Sequence, residues 1–341
     1  MGIPEKILWG RLTPGERKLY ARYEQAFAVC APTVDGAGLE RNVDELKVML
    51  AVLGDHPEVI YCNRTQLRLS QLVFGNKVIR LEGVLSAAQN RTRAQALQAA
   101  VEQAEAEIAL LNPISDYDKL ICIYEYIQDH VTYDGQEREY NARHNATRAP
   151  DRHNAYGALV EGLAVCDGFA CAFALLAQRL GFRCTTVTGE GIAPSGGCFP
   201  HAWNIVAAGD AYYHLDVTWD KNRESQGGDY SYEYFCLDDG EAGLEHIWAV
   251  ETTPACGSQA LSFYFRNRCK ANSLSQLDDI FLRYVKTKAS VIRVKLDGGV
   301  AVPEPDNIAQ RLLDAAVSVG RSIRIEYRWN SALQCFYAKI L

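Results

Sequence analysis

The run AVCDGFACAFALLAQRLGF at 164–182 constrains this 341-residue chain more than any other stretch. Residues 166–180 form an apolar helical segment, and Gly181 suits the left-handed turn that closes a helix. Three segments rich in β-branched and aromatic residues follow: CTTVTGEG (184–191), HAWNIVAA (201–208) and AYYHLDVTW (211–219). They predict strands, with Gly209-Asp210 as a hairpin turn between the last two. An apolar helix that leads into an antiparallel sheet defines an α+β fold.

The helix begins on a cysteine. At a helix amino end, unpaired backbone N–H groups and the macrodipole favour an anion, so Cys166 is predicted to carry a lowered thiol pKa. The same N–H groups can receive the oxyanion of a tetrahedral intermediate, and Asp167 and Gly168 leave room for backbone approach. A thiolate nucleophile needs a base, and the base needs an orienting acceptor. His201 and Asp216 supply these if the hairpin forms. A two-residue turn at Ala208-Gly209 sets them directly opposite; a turn at Gly209-Asp210 makes them diagonal neighbours. In either register they share one face, because side chains alternate with period two. Cys166, His201 and Asp216 are therefore the predicted catalytic trio.

Neighbouring residues are sorted by the same parity. His214 shares the Asp216 face and is the rival base, with no carboxylate partner evident along its own strand. Trp203 shares the His201 face and can wall an acyl pocket, whereas Trp219 has the opposite parity and is assigned to core. Tyr156, ten residues before Cys166, either anchors the helix entry or donates to the oxyanion. Gly189, Gly191, Gly196 and Gly197 are expected to shape a flap beside His201.

Before this core, helical periodicity at 14–29 and 42–53 is followed by HPEVIYCN, QLRLSQLVF and NKVIRLEGV, which predict strands with a hairpin about Gly75-Asn76. A long helix is expected over 86–111, ending before Pro113. A second helix starts at Ser115, whose N-cap is paired with Asp118 in a weakened capping box. From about 260 the chain predicts strand (SFYFR), helix (LSQLDDIFLRYV), strand (SVIRVKL), helix (NIAQRLLDAAVSV) and a closing hairpin (SIRIEYRW, LQCFYAKI). The expected division is an N-terminal α+β unit at 1–85, a core at 86–255 and a C-terminal α/β unit at 256–341.

Several partners are argued against. With 35 basic and 42 acidic residues the net charge is -7, and no Lys/Arg run could neutralise a phosphate backbone, so nucleic acid is not an expected partner. No segment has the length and apolarity of a membrane span, and the text MGIPEKILWGRLTPGERKLY lacks a secretory core, which as written predicts a cytoplasmic protein unless an export signal precedes it. Eleven cysteines without regular spacing predict reduced, mostly buried thiols, with Cys198 and Cys256 in loops. CxxC, HExxH and Walker patterns are missing from the sequence, and the trio's chemistry needs no cofactor.

The segment AYGALVEGLAVCDGFACAFALLAQRLG, then HAWNIV, then YHLDVTWD resembles, in that order, the cysteine helix, histidine strand and aspartate strand of the transglutaminase-like superfamily. The resemblance covers about 113–250, and DYDKLICIYEYIQDHVTYD and HPEVIYCN extend it more weakly. It implies a papain-like transglutaminase core with the nucleophile-bearing helix packed on an antiparallel sheet. It also implies a thioester on Cys166, with His201 as base and Asp216 as orienter. The expected activity is a cysteine protease, amidase or transglutaminase-type acyltransferase acting on a peptide or protein amide. Hydrolysis is favoured over transamidation, since neither a calcium loop nor a Greek-key stretch like those of the animal cross-linking enzymes is present. The alternative is a non-catalytic peptide- or protein-binding module on the same fold.

Overall fold

The computed structural model describes residues 6–40, 42–65, 71–73, 76–193, 195–224, 229–299 and 303–341. Helix α1 (Pro14–Ala28) starts on a full capping box, Thr13 with Glu16, and packs with α2 (Glu45–Asp55) around Leu19, Tyr20, Val48 and Val52. Strands β1 (Thr33–Asp35), β2 (Gln71–Val73) and β3 (Asn76–Arg80) form a sheet in the order β1-β3-β2. Val73 pairs with Asn76 across the expected hairpin, whose residues 74 and 75, together with part of QLRLSQLVF, lie outside the described residues.

HPEVIYCN is irregular, not a strand. Val59, Ile60, Tyr61 and Cys62 are all buried, Ile60 in the central apolar cluster and the others in the N-terminal one. Wedged between two cores, residues 59–62 have no solvent face, so nothing imposes the alternation of a half-buried strand on them.

The central region opens with α3 (Ala87–Leu110) and α4 (Asp116–His130), the latter closed at its start by a complete Ser115–Asp118 capping box. Next come β4 (Thr132–Tyr133), α5 (Gly135–His144), a 3-10 turn (Pro150–His153), α6 (Ala155–Leu159) and β5 (Leu163–Ala164), with β4 and β5 paired in parallel. Helix α7 (Cys166–Arg179) is buried at every residue from Gly168 to Ala177. It ends where expected, with Gly181 at φ +92. Phe169 and Phe173 are fully buried, each worth about 1.5–3 kcal/mol of apolar transfer.

The central sheet runs β10-β6-β7-β8-β9, every pair antiparallel: β6 (Arg183–Ile192), β7 (Cys198–Ala208), β8 (Ala211–Leu215), β9 (Phe235–Leu237) and β10 (His246–Ile247). Asn204 ties helix to sheet, its amide donating to the carbonyls of Ala170 (2.9 Å) and Thr185 (3.2 Å). The predicted third strand is shorter than expected, since Val217–Glu224 is helix α8. A short helix α9 (Asp239–Ala242) precedes β10.

In the C-terminal region SFYFR is a helical turn, α10 (Phe263–Arg266), not a strand. Ser262 caps it, while Phe263 stacks on Tyr232 (4.1 Å) and Tyr264 enters the C-terminal cluster. Then follow β11 (Lys270–Ala271), α11 (Leu274–Lys286), β12 (Val291–Leu296), α12 (Pro305–Ser318), β13 (Ile325–Asn330) and β14 (Cys335–Ile340), a sheet in the order β11-β12-β14-β13. Its edge reaches the centre through Asn330, which donates to Glu233 (2.8 Å) and to the hydroxyl of Tyr234 (3.3 Å).

Candidate active site

The β7–β8 hairpin takes the second of the two expected registers. Ala208 pairs with Ala211 about Gly209-Asp210, and Gly209 sits at φ +57, where lacking a Cβ removes the strain. Asn204 pairs with Leu215, so Asp216 lies one residue past β8 and diagonal to His201. His201 Nε2 stands 2.6 Å from Oδ2 of Asp216, and both residues are buried. The other oxygen, Oδ1, accepts the backbone N–H of Trp219 (3.1 Å) and so caps α8. One carboxylate ends a strand, starts a helix and orients an imidazole.

His246 was not singled out from the sequence. Its Nε2 lies 3.0 Å from the same Oδ2 of Asp216, and its Nδ1 faces the carbonyl of Ala242 at 3.2 Å. Burial alone would raise the Asp216 pKa, but the imidazoles of His201 and His246 outweigh it and hold the carboxyl well below the usual range. With Nε2–H of His201 committed to Asp216, its Nδ1 carries the lone pair a base requires.

Aromatic rings enclose this pair. Trp219, assigned to core by parity, stacks on His201 (4.8 Å, 18°) and lies tilted against His246 (4.3 Å, 33°), because α8 turns it back over the sheet. Trp203 is fully buried behind both imidazoles, 6.0 Å from His201 and 4.7 Å from His246, and its indole N–H donates to Nδ1 of His214. Gly189 and Gly191, expected in a flap, belong to β6 and make space for these rings. A Cβ at Gly191 would stand 2.6 Å from the Trp219 ring, and one at Gly189 would stand 2.8 Å from Trp203.

The rival base is occupied elsewhere. His214 accepts from Trp203 at Nδ1 and donates from Nε2 to Asp239 (2.9 Å), a carboxylate from α9 that lies outside its own strand. Burial pushes its pKa down. Tyr156 lies on α6 with the Arg93 guanidinium over its ring at 4.1 Å.

On the thiol side, Cys166 opens α7 and is partly exposed, with no side-chain cap from Val165. Its Sγ donates to Oδ1 of Asp167 at 3.3 Å and accepts the backbone N–H of Ala202, the residue after His201. The thiol pKa is therefore raised, not lowered as the helix position predicts. Burial of the sulfur and then the adjacent Asp167 carboxylate outweigh the Ala202 N–H. Gly168 serves packing: a Cβ there would fall 2.4 Å from the carbonyl of Arg152.

Two side-chain groups have metal-ligand composition among the described residues, His201–Asp216–His246 and His214–Asp239–Cys256. In the second, the Trp203 N–H claims Nδ1 of His214, so Nε2 bears the proton given to Asp239 and offers no lone pair. In the first, the Nε2–Oδ2 separations of 2.6 and 3.0 Å are hydrogen-bond distances. They are shorter than the roughly 3.3 Å between ligands tetrahedrally placed about 2.0 Å from zinc. All eleven cysteines are free; Cys256 is buried and Cys198 is exposed at the start of β7, while Cys30, expected in the core, is partly exposed.

A mixed α/β molecule whose buried helix carries a cysteine at its tip, against a sheet bearing a hydrogen-bonded His–Asp pair, has the parts of a nucleophilic acyl-transfer site. Residues 108–217 match the family model of the transglutaminase-like superfamily, and this segment is a transglutaminase-like domain. No curated protein matches the sequence. Among solved structures, a TGase aligns at TM-score 0.33 and 17% identity over 44% of this chain and 43% of that one. A protein proposed to be a cysteine protease, from Cytophaga hutchinsonii, aligns at TM-score 0.28 and 20% identity over 36% and 37%. Menin aligns at TM-score 0.29 and 12% identity over 93% and 63%. The chain thus spans less than two thirds of each of these proteins. No helix among the described residues is long and apolar enough to cross a membrane.

Proposed function

We propose that the protein is a cysteine-dependent acyl-transfer enzyme acting on an amide, a peptide bond or glutamine-type carboxamide, through a thioester on Cys166. His201 takes the thiol proton at Nδ1, Asp216 holds the imidazole by its Nε2–H, and the imidazolium returns the proton to the leaving amine. Water then attacks the thioester, so hydrolysis is the favoured ending. Units 1–85 and 256–341, each with its own buried apolar cluster, flank the catalytic core 86–255 and set substrate choice in this reading. Eleven free thiols accord with a reducing, cytoplasmic setting.

The observation that supports this most is the 2.6 Å His201–Asp216 contact, with the backbone N–H of the next residue, Ala202, on the Cys166 sulfur. A glutamine-containing peptide incubated with the protein and a primary amine, followed by mass spectrometry, tests it. Cleaved peptide, or conversion of the glutamine residue to glutamate with release of ammonia, that vanishes with Cys166→Ala is expected. An amine adduct moves the reading to transamidation, and turnover that survives Cys166→Ala removes it. The binding-module alternative draws on one observation, the engagement of the thiol by Asp167; selective labelling of Cys166 by a peptide-like electrophile counts against it.

A further inference from the structure

Behind the nucleophile lies a second polar chain that the acyl-transfer reading leaves unused. Sγ of Cys166 donates to Oδ1 of Asp167 (3.3 Å), and Oδ2 of Asp167 meets Nδ1 of His153 at 2.9 Å. On its far side, Nε2 of His153 lies 3.1 Å from the Asn141 amide and 3.5 Å from Oε1 of Glu137, a carboxylate with no exposed surface. With the Asn141 oxygen turned to His153, its nitrogen donates to Oε1 of Glu137 (3.0 Å), and both ring nitrogens of His153 face acceptors. His153 then donates from both nitrogens and is an imidazolium. Buried, doubly donating and flanked by two carboxylates, it keeps Asp167 ionised and pointed at the sulfur.

We propose that Asp167, held by His153, is a brake on the nucleophile: it stores Cys166 as a thiol hydrogen-bonded to this carboxylate, and catalysis starts when substrate moves the sulfur off it. The inference rests on the proposed role of Cys166. The step balances as a single proton transfer: the S–H proton passes to Nδ1 of His201, leaving a thiolate and an imidazolium, with Asp216 as the imidazolium's counter-charge. No electrons are gained or lost.

Other charges bear on the same sulfur. The charge of Asp216 and the hydroxyl of Tyr133 of β4 act on it; His201 and His246 act through Asp216, and Arg138 acts on Tyr133. Arg152 is committed to Asp134 (3.2 Å) and Glu161, and Glu137 also accepts the backbone N–H groups of Arg148 and Ala149. Of these groups, only the Asp167 carboxylate accepts the thiol proton. Burial would lower the His153 pKa and raise that of Asp167, but their mutual attraction reverses both, which agrees with an ion pair beneath the sulfur.

The test is the rate of iodoacetamide alkylation at Cys166, mapped by mass spectrometry on the full chain from pH 5 to 10. In the wild type the rate is expected to rise only above the ordinary thiol range near 8.5. Asp167→Asn is expected to speed alkylation at pH 7 about tenfold, and His153→Gln, which leaves Asp167 uncompensated, to slow it. Opposite signs from adjacent members of one chain are not what general loosening of the fold gives. A wild-type profile that titrates at or below 8.5 overturns the brake without any variant, as do equal rates or changes of the same sign in the two variants. Unchanged rates in Asp167→Asn beside a slowed His201→Ala remove the brake and leave the proposed reaction standing.

Discussion

Two carboxylates serve the predicted trio, Asp167 on the Cys166 thiol and Asp216 on His201, and they are built oppositely. Asp216 stands between two imidazoles, His201 and His246, inside a wall of tryptophans, and its second oxygen caps a helix. Asp167 stands between one imidazole and the thiol itself, on the first turn of α7 and one-third exposed. Both are ionised more readily than a carboxylate in water, because paired histidines outweigh burial. In the proposed reaction the difference is what each stabilises: Asp216 favours the imidazolium that forms once His201 has taken the thiol proton, whereas Asp167 favours a thiol that keeps its proton. In the proposed reading the same residue type thus arms one reactant and restrains the other, and the group each carboxylate accepts from decides which.

The largest expected effect breaks the arming side. Asp216→Asn loses the acceptor for His201 and is expected to lower kcat/KM on any substrate identified by about three to four orders of magnitude, read against Cys166→Ala as background. Next, His246→Gln removes one charge-assisted hydrogen bond from Asp216. It is expected to cost roughly ten- to a hundredfold in kcat/KM, the about 1.5–3 kcal/mol of such a bond, and to shift the acid limb of the pH–rate profile. A loss equal at every pH would make His246 merely structural.

A third test strains the restraining side without touching a charge. Gly168→Ala drives a methyl group against the carbonyl of Arg152, and a loss of about 1–3 kcal/mol in urea unfolding is expected. The smallest effect concerns the ion pair below it. His153 has a raised pKa in the folded protein, so its contribution is full below the unfolded value of about 6.5 and fades as pH rises through the folded one. Asp167 has a lowered pKa, so its share is full above about 3.9 and fades as pH falls through the folded value. His153→Gln is therefore expected to destabilise most near pH 5–6, by about 1 kcal/mol or less because Asp167 is partly solvated, and least at pH 9. Equal destabilisation at pH 5.5 and 9 would show that the pair contributes no charge energy.

Short-range signals served best where one local rule was in force. The capping boxes at Thr13 and Ser115, Gly181 after α7 and Gly209-Asp210 between β7 and β8 all act within a few residues, and their elements stand where expected. The errors came where several cores or a side-chain cap intervened. HPEVIYCN is held between two clusters, SFYFR is coiled by Ser262, and DVTW is drawn into a helix by the side chain of Asp216. That last turn is also what carries Trp219 onto His201 against its strand parity.

The sequence by itself determined the helix that carries Cys166, the hairpin that brings His201 and Asp216 to one face, and hence the α+β core, because helix and strand periodicities are local properties of the chain. Only the tertiary structure decided what surrounds those residues. His246 reaches Asp216 from 30 residues away, and His153 reaches Asp167 from a turn 14 residues upstream. Charge and burial depend on distance in space and not along the chain, so the state of the Cys166 thiol was settled only by what folded against it.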